Sequence, residues 1–300
     1  MKRFQRVTVA LAAAPTDRPL LEYARVLAHI GLGSEYHFVH VHTPARPADA
    51  PESNVSVWTR CRAEVEEYFG SPREDTRLRC TVLEGLRVDS LIESLTQSHA
   101  DLVLVGHRRT RSGQRSLAKR LAMVAPCSVW LVPDSAPVSI TQVLAPVDFS
   151  DNSADSVAVA AAIARHAGLR ACTALHVFSD PDMIRYDERL EDVRRHERDA
   201  FQQFLGNIDC QGIQIQPAVV EGYQVGNTIL HCAGCHGTDL LVMNTRGRSR
   251  AAAILLGSVT SQVMAESPVA VLAVKHAGAM LGLFEALREC TVRNRGAKTN

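Results

Sequence analysis

In the second half of the chain, short runs of consecutive apolar residues alternate with longer stretches in which apolar positions recur every three or four residues. Residues 143–147, 171–177 and 239–243 are of the first kind and predict buried strands. The alanine-rich stretch 152–166 and the charged amphipathic stretch 188–205 predict helices, with a shorter helix at 227–235. Residues 213–220 alternate apolar and polar positions, the period of a strand with one wet face. A last helix opens at Gly257-Ser258, with Val259, Val263 and Met264 at helical spacing, and a last strand follows at 269–274. The order βαβαβαβαβ predicts an open parallel sheet of five strands covered by helices on both faces. Ligands of such sheets bind beyond the carboxyl ends of the strands, at the point where strand order reverses.

The same pattern occurs twice. Val7-Thr8-Val9-Ala10-Leu11-Ala12 aligns with Val143-Leu144-Ala145-Pro146-Val147-Asp148, and His40-Val41 with His176-Val177, at one offset (148 − 12 = 176 − 40 = 136). Val82-Leu83-Glu84-Gly85 matches Val219-Val220-Glu221-Gly222, and the run from Asp101 to Gly106 matches that from Asp239 to Asn244. The run from Pro126 to Val132 matches that from Pro268 to Val274. The chain is thus read as two copies of one unit, each long enough for its own core. The expected fold is α/β, two tandem open parallel five-stranded sheets flanked by helices. Pro133-Asp134-Ser135-Ala136-Pro137 marks the seam. The expected domains are 1–137 and 138–276, with 277–300 a C-terminal tail that carries one short helix at 281–287 and a mobile polar end.

Chemistry concentrates after the strand at 239–243. Asn244-Thr245-Arg246-Gly247 is followed nine residues later by Gly257-Ser258 at a helix start. A strand, a small-residue loop and a helix N-terminus together make a phosphate cradle. Glycine belongs where φ is positive or where a phosphate approaches the main chain closely. Ser258 adds a hydroxyl donor. Asp148, also just past a strand end, is expected in the same crevice.

These residues, with Pro146-Val147-Asp148-Phe149-Ser150, His176-Val177, the G-x2-G-x9-G-[ST] spacing and the strand entry Ser267-Pro268-Val269, resemble the universal stress protein family, tandem two-domain type, across residues 3–276. The resemblance implies a Rossmann-like fold of the adenine nucleotide alpha hydrolase-like class, a role in stress response, and binding of ATP or another adenine nucleotide, with or without Mg2+. It implies a binding set of Pro146, Val147, Asp148, Val177, Met243, Asn244, Gly247, Arg248, Gly257, Ser258, Val259 and Thr260. Asp148 would lie near the ribose or a metal, Val177 would meet adenine through its backbone, and the loop would hold the phosphates. Asn244 stands where the family has its first glycine, and asparagine tolerates the left-handed region such a turn would need.

The first copy departs from this plan. It has Ala12 at the position of Asp148, Arg109 at that of Gly247, and Arg115-Ser116 at that of Gly257-Ser258. Its loop is four residues shorter (126 − 106 = 20 against 268 − 244 = 24). Its nucleotide site is read as lost. The segment from His107 to Arg120 carries Arg108, Arg109, Arg111, Arg115, Lys119 and Arg120 without an acid, and its simplest reading is a solvated loop and helix face.

Composition narrows the function. With 33 basic and 32 acidic residues the net charge is +1, and no aromatic-interleaved basic patch suggests nucleic acid as a partner. Only four of the basic residues are lysines, and no G-x4-G-K-[ST] occurs, so Arg246, Arg248 and Arg250 are the cations of the second loop. No general base for an attacking water is evident, and binding with slow turnover or none is expected. The main alternative from another class is a nucleotide-free interaction scaffold, with Asn244 blocking the site and the arginine-rich segment recruiting an acidic partner.

Cys232-Ala233-Gly234-Cys235-His236 matches the C-x-x-C-H pattern of covalent haem attachment, and Met1-Lys2-Arg3 followed by an apolar run and Ala12-Ala13-Ala14 mimics a signal peptide. Cleavage there would remove the first strand of the repeat, so the strand reading stands, and the protein is expected in the cytoplasm, without a membrane partner. A partial metal or redox site at Cys232, Cys235 and His236 is the other alternative, with buried helix cysteines as the simpler reading. Cys61, Cys80, Cys127, Cys172, Cys210 and Cys290 show no framework spacing. His40 and His176 are equivalent strand-end residues, which suggests a shared structural role; Trp58 and Trp130 are expected to pack, and the charged face at 188–198 to be solvated. The last strands, 129–132 and 269–274, would be exposed apolar edges, so the two copies are expected to pair through them within the chain, and a homodimer is compatible with this plan.

Overall fold

A computed structural model describes residues 4–14, 17–43, 54–70, 73–107, 117–178, 187–245 and 256–275. The first half contains β1 (Arg6–Leu11), α1 (Arg18–His29), β2 (Glu35–His42), α2 (Asn54–Glu64, continued by a π-helical turn, Val65–Phe69), β3 (Arg77–Glu84), α3 (Arg87–Gln97), β4 (Leu102–His107), α4 (Leu117–Val124) and β5 (Ser128–Pro133). The second contains β6 (Val143–Val147), α5 (Asp151–His166), β7 (Ala171–Phe178), α6 (Asp187–Gly206), β8 (Gln214–Glu221), α7 (Val225–Cys235), β9 (Leu240–Asn244), α8 (Ser258–Glu266) and β10 (Ala270–Val274). The predicted elements of the second half all form, with ends displaced by no more than two residues.

The two five-stranded sheets join into one sheet of ten strands, in the order β3-β2-β1-β4-β5-β10-β9-β6-β7-β8. All neighbours are parallel except at the centre, where β10 pairs antiparallel with β5 through Val271–Leu131, Leu272–Trp130 and Ala273–Val129. This pairing covers the apolar edge of each half with the edge of the other. The outermost strands are β3 and β8, where Arg77, Arg79 and Pro217 occupy positions that a central strand would not tolerate.

Strand alternation divides the interior into two layers. Val7, Val9, Leu102, Leu104, Trp130 and Leu272 face one layer with α1, α2, α5 and α6; Val103, Val105, Val129, Leu131 and Val271 face the other with α3, α4, α7 and α8. Each layer therefore runs through both halves. The central strands are buried on both faces, which explains their unbroken apolar sequence.

The acids that open the fourth strand of each half hold the sheet at its amino end. Asp101 Oδ2 accepts the N–H groups of Gln5 and Arg6 at 3.1 and 2.9 Å. Asp239 accepts those of Thr141 and Gln142 at 2.7 and 3.1 Å. The opposite, carboxyl ends of β6 and β9 are left to form a crevice, since the chain runs outward from β6 to β7 and β8 and returns to β9 on the other side.

Candidate functional site

At the end of β6 the chain turns sharply. Phe149 has φ +61°, a strained value for a bulky residue, and Ala13 has φ +56° at the equivalent place after β1. The turn at Phe149 is secured from both sides. Asp148 Oδ1 accepts from the Ser150 N–H at 3.2 Å and from its hydroxyl at 2.5 Å. Ser150 is also the N-cap of α5, its Oγ accepting the Ser153 N–H at 3.2 Å. The Phe149 ring stacks on His176 with centroids 4.1 Å apart and packs against Phe201 and Phe204 of α6.

His176 Nδ1 lies 2.9 Å from the Val147 carbonyl, and because a carbonyl only accepts, this nitrogen donates. His176 Nε2 lies 3.2 Å from Glu197 Oε2. His40 Nδ1 makes the same contact with the Leu11 carbonyl at 3.1 Å. The repeated histidine thus secures the end of the first strand in each half.

At the end of β9, Asn244 Nδ2 donates to the Asn152 carbonyl at 3.2 Å, and its own carbonyl accepts the Thr260 hydroxyl at 2.8 Å. Asn244 is the last residue of the strand and is not among the residues with positive φ, so it needs none of the left-handed strain expected of it. The Gly257 N–H donates to the Thr245 carbonyl at 2.7 Å. Gly257 is the N-cap of α8 with φ −62°, and as a glycine it brings no side chain to cap the helix. Its φ suits any residue, so backbone strain does not require glycine here.

Between these elements lies a cavity of about 650 Å³, within the roughly 300–1,000 Å³ usual for small-molecule sites. Pro146, Val147, Asp148, Met243, Asn244, Gly257, Ser258, Val259 and Thr260 line it together. Val177, near the end of β7, packs partly buried against the α7 layer and is not part of the lining. Gly247 and Arg248 lie outside the described residues, as do Arg246, Arg250 and the arginines at 108, 109, 111 and 115. The lining also includes Ser153, Val225, Ile229, Leu256 and Ser261, together with Lys119 and Met123 from α4 of the first half. The α5, α7 and α8 residues could have been found from helical periodicity around the loop. Lys119 could not, because its placement depends on which half lies alongside.

The described lining fits an adenine nucleotide: apolar walls suit a base, and the N–H groups of a helix start suit phosphate. For a divalent cation it offers one carboxylate, Asp148, which suits a metal carried in largely by phosphate oxygens.

The corresponding cavity of the first half is about 170 Å³. Asp17 lies in it and turns its carboxylate onto the turn after β1, where Oδ1 accepts the Ala12 N–H at 3.0 Å and Oδ2 those of Ala13 and Ala14 at 2.7 and 3.4 Å. Burial raises the Asp17 pKa from its ordinary value, opposed by those N–H groups and by His40. Ser153 holds the equivalent position in the second half (153 − 17 = 136).

Three other sequence expectations can be placed. Trp130 is fully buried, whereas Trp58 is 37% exposed and lies beneath the Arg62 guanidinium at 5.3 Å, a surface pairing in place of the expected packing. Cys232 is buried in the α7 layer, where burial raises its pKa; Cys235 is exposed, its Sγ 3.6 Å from His231 Nε2. Among the described residues no three His, Cys, Asp or Glu side chains gather to hold a metal. The tail at 277–300 and Cys290 lie outside the described residues.

The family model described as "Universal stress protein family" matches residues 3–133 and 139–275. Among solved structures, a putative universal stress protein from Pseudomonas aeruginosa UCBPP-PA14 is similar at 16% identity and TM-score 0.69, over 95% of this chain and 98% of that one. A universal stress protein from Archaeoglobus fulgidus DSM 4304 is similar at 17% identity and TM-score 0.60, over 91% and 98%. At these identities the structural likeness speaks for the fold. No curated protein matches the chain in sequence.

Proposed function

The chain belongs to the universal stress protein family, and from that premise we propose that its second half binds ATP, or another adenine nucleotide, and that occupancy serves a stress-response signal. The observation that carries this reading is the meeting of Asp148, Asn244 and the glycine-capped start of α8 around one cavity. In this reading the adenine and ribose lie towards Pro146, Val147, Asp148 and Met243. The phosphates lie towards Asn244, Gly257, Ser258, Val259 and Thr260, with Gly247 and Arg248 contributing from the loop. Any Mg2+ arrives with the phosphates and meets Asp148.

The first half, in the same reading, binds no nucleotide of its own. Asp17 already supplies the anion for its turn, and a second anion would meet that carboxylate in a small space. Weighing against the scaffold alternative, in which Asn244 blocks the second site, is the donation of its amide to the Asn152 carbonyl. All seven described cysteines are free thiols, which suits the reducing cytoplasm we assign, and no helix among the described residues is long and apolar enough to cross a membrane.

The test is Asp148→Asn. It removes the charge but keeps an oxygen for the Ser150 N–H and hydroxyl that hold the turn, so the protein should fold and ATP-Mg2+ affinity should fall by about ten-fold or more. Unchanged affinity in the variant would remove Asp148 from the site.

A further inference from the structure

The cavity at the ends of β6 and β9 is lined on one side by α4, a helix of the other half. This crossing follows from the antiparallel pairing of β5 with β10, which relates the two halves by a local twofold and sets α4 beside α8. His107, at the end of β4, marks the same junction, its Nε2 3.4 Å from the Ala265 carbonyl of α8.

Two charged side chains line the described part of the cavity: Asp148 from the second half and Lys119 from the first. The lysine is one of only four in the chain and is partly buried, where an ammonium is screened less than at the open surface. Aligned through Pro126 and Pro268 (268 − 126 = 142), Lys119 corresponds to Ser261 (119 + 142 = 261), so its cation is not common to the two copies. The second loop offers no lysine of its own, and a polyphosphate brings several negative charges that the ammonium could meet.

We propose that Lys119 of the first half binds the phosphates of the nucleotide held by the second half, so that the half without a working cavity completes the site of the other. This inference rests on the nucleotide reading above. It gives the first half a role in recognition, and it makes the site depend on the pairing of β5 with β10.

The experiment compares ATP and adenosine binding by calorimetry for the full chain, Lys119→Gln and Lys119→Arg. Lys119→Gln should weaken ATP about ten-fold, leave adenosine unchanged and flatten the salt dependence of ATP binding, and Lys119→Arg should retain most of the affinity. An ATP affinity unaltered by Lys119→Gln, or an equal loss for ATP and adenosine, would overturn the contact while leaving the nucleotide site standing. A wild-type chain that takes up neither ligand would instead overturn the site itself, and the inference with it.

Discussion

Asp17 and Ser153 occupy one structural position with different consequences. The aspartate draws three backbone N–H groups onto its own carboxylate, whereas the serine leaves the second cavity open and lines it. His37 illustrates a residue whose effect is on stability. It is half-buried in β2 with Nε2 2.9 Å from Thr81 Oγ1 and a buried Nδ1 that has no partner among the described residues. Burial, reinforced by the charge of Arg79, lowers its pKa from 6.5 to about 4. Between these values the unfolded chain takes up a proton that the folded chain refuses. Its contribution is therefore complete above the unfolded pKa and lost as pH falls towards 4. The melting temperature should drop between pH 7 and pH 4.5, and His37→Gln should reduce that drop; equal drops in both proteins would refute the assignment. At this scale the sequence identified Asp148, Asn244, Gly257 and Thr260 because each follows a recognisable strand or opens a helix. It did not identify Asp17 as the group that closes the first site, since a side chain turning back three to five residues onto a turn leaves no periodic trace.

The strands and helices were legible because buried parallel strands are continuously apolar and their covering helices repeat every three to four residues. What periodicity could not convey was contact between segments far apart in the chain. The arginine-rich segment reads as a solvated face, yet α4, which begins within it, lines the second half's cavity through Lys119 and Met123. The strand pairing at the centre also has a consequence that can be measured. An excised second half, residues 138–276, would expose the β10 edge now covered by β5, a buried row of Ala270, Val271, Leu272, Ala273 and Val274. Such an edge can pair antiparallel with its own copy. Light scattering should find this fragment dimeric at micromolar concentration while retaining its helix content; a folded monomer across that range would contradict the expectation.

The whole molecule is one ten-stranded sheet carrying two equivalent crevices that differ in content. One has about 650 Å³ with a helix start at its edge; the other has about 170 Å³ and an internal carboxylate. One nucleotide per chain is expected, and it is tested by calorimetric titration of ATP with Mg2+ into the wild type and Gly257→Arg, which copies the first half's residue at this position. Because Gly257 has φ −62°, arginine imposes no backbone strain there, and its side chain acts by filling the space beside the first turn of α8. The predicted result is a single site per chain that disappears in Gly257→Arg while the melting temperature holds. A wild type that binds no ATP, or a variant that binds it as well as the wild type, would contradict the placement of a nucleotide in the second half.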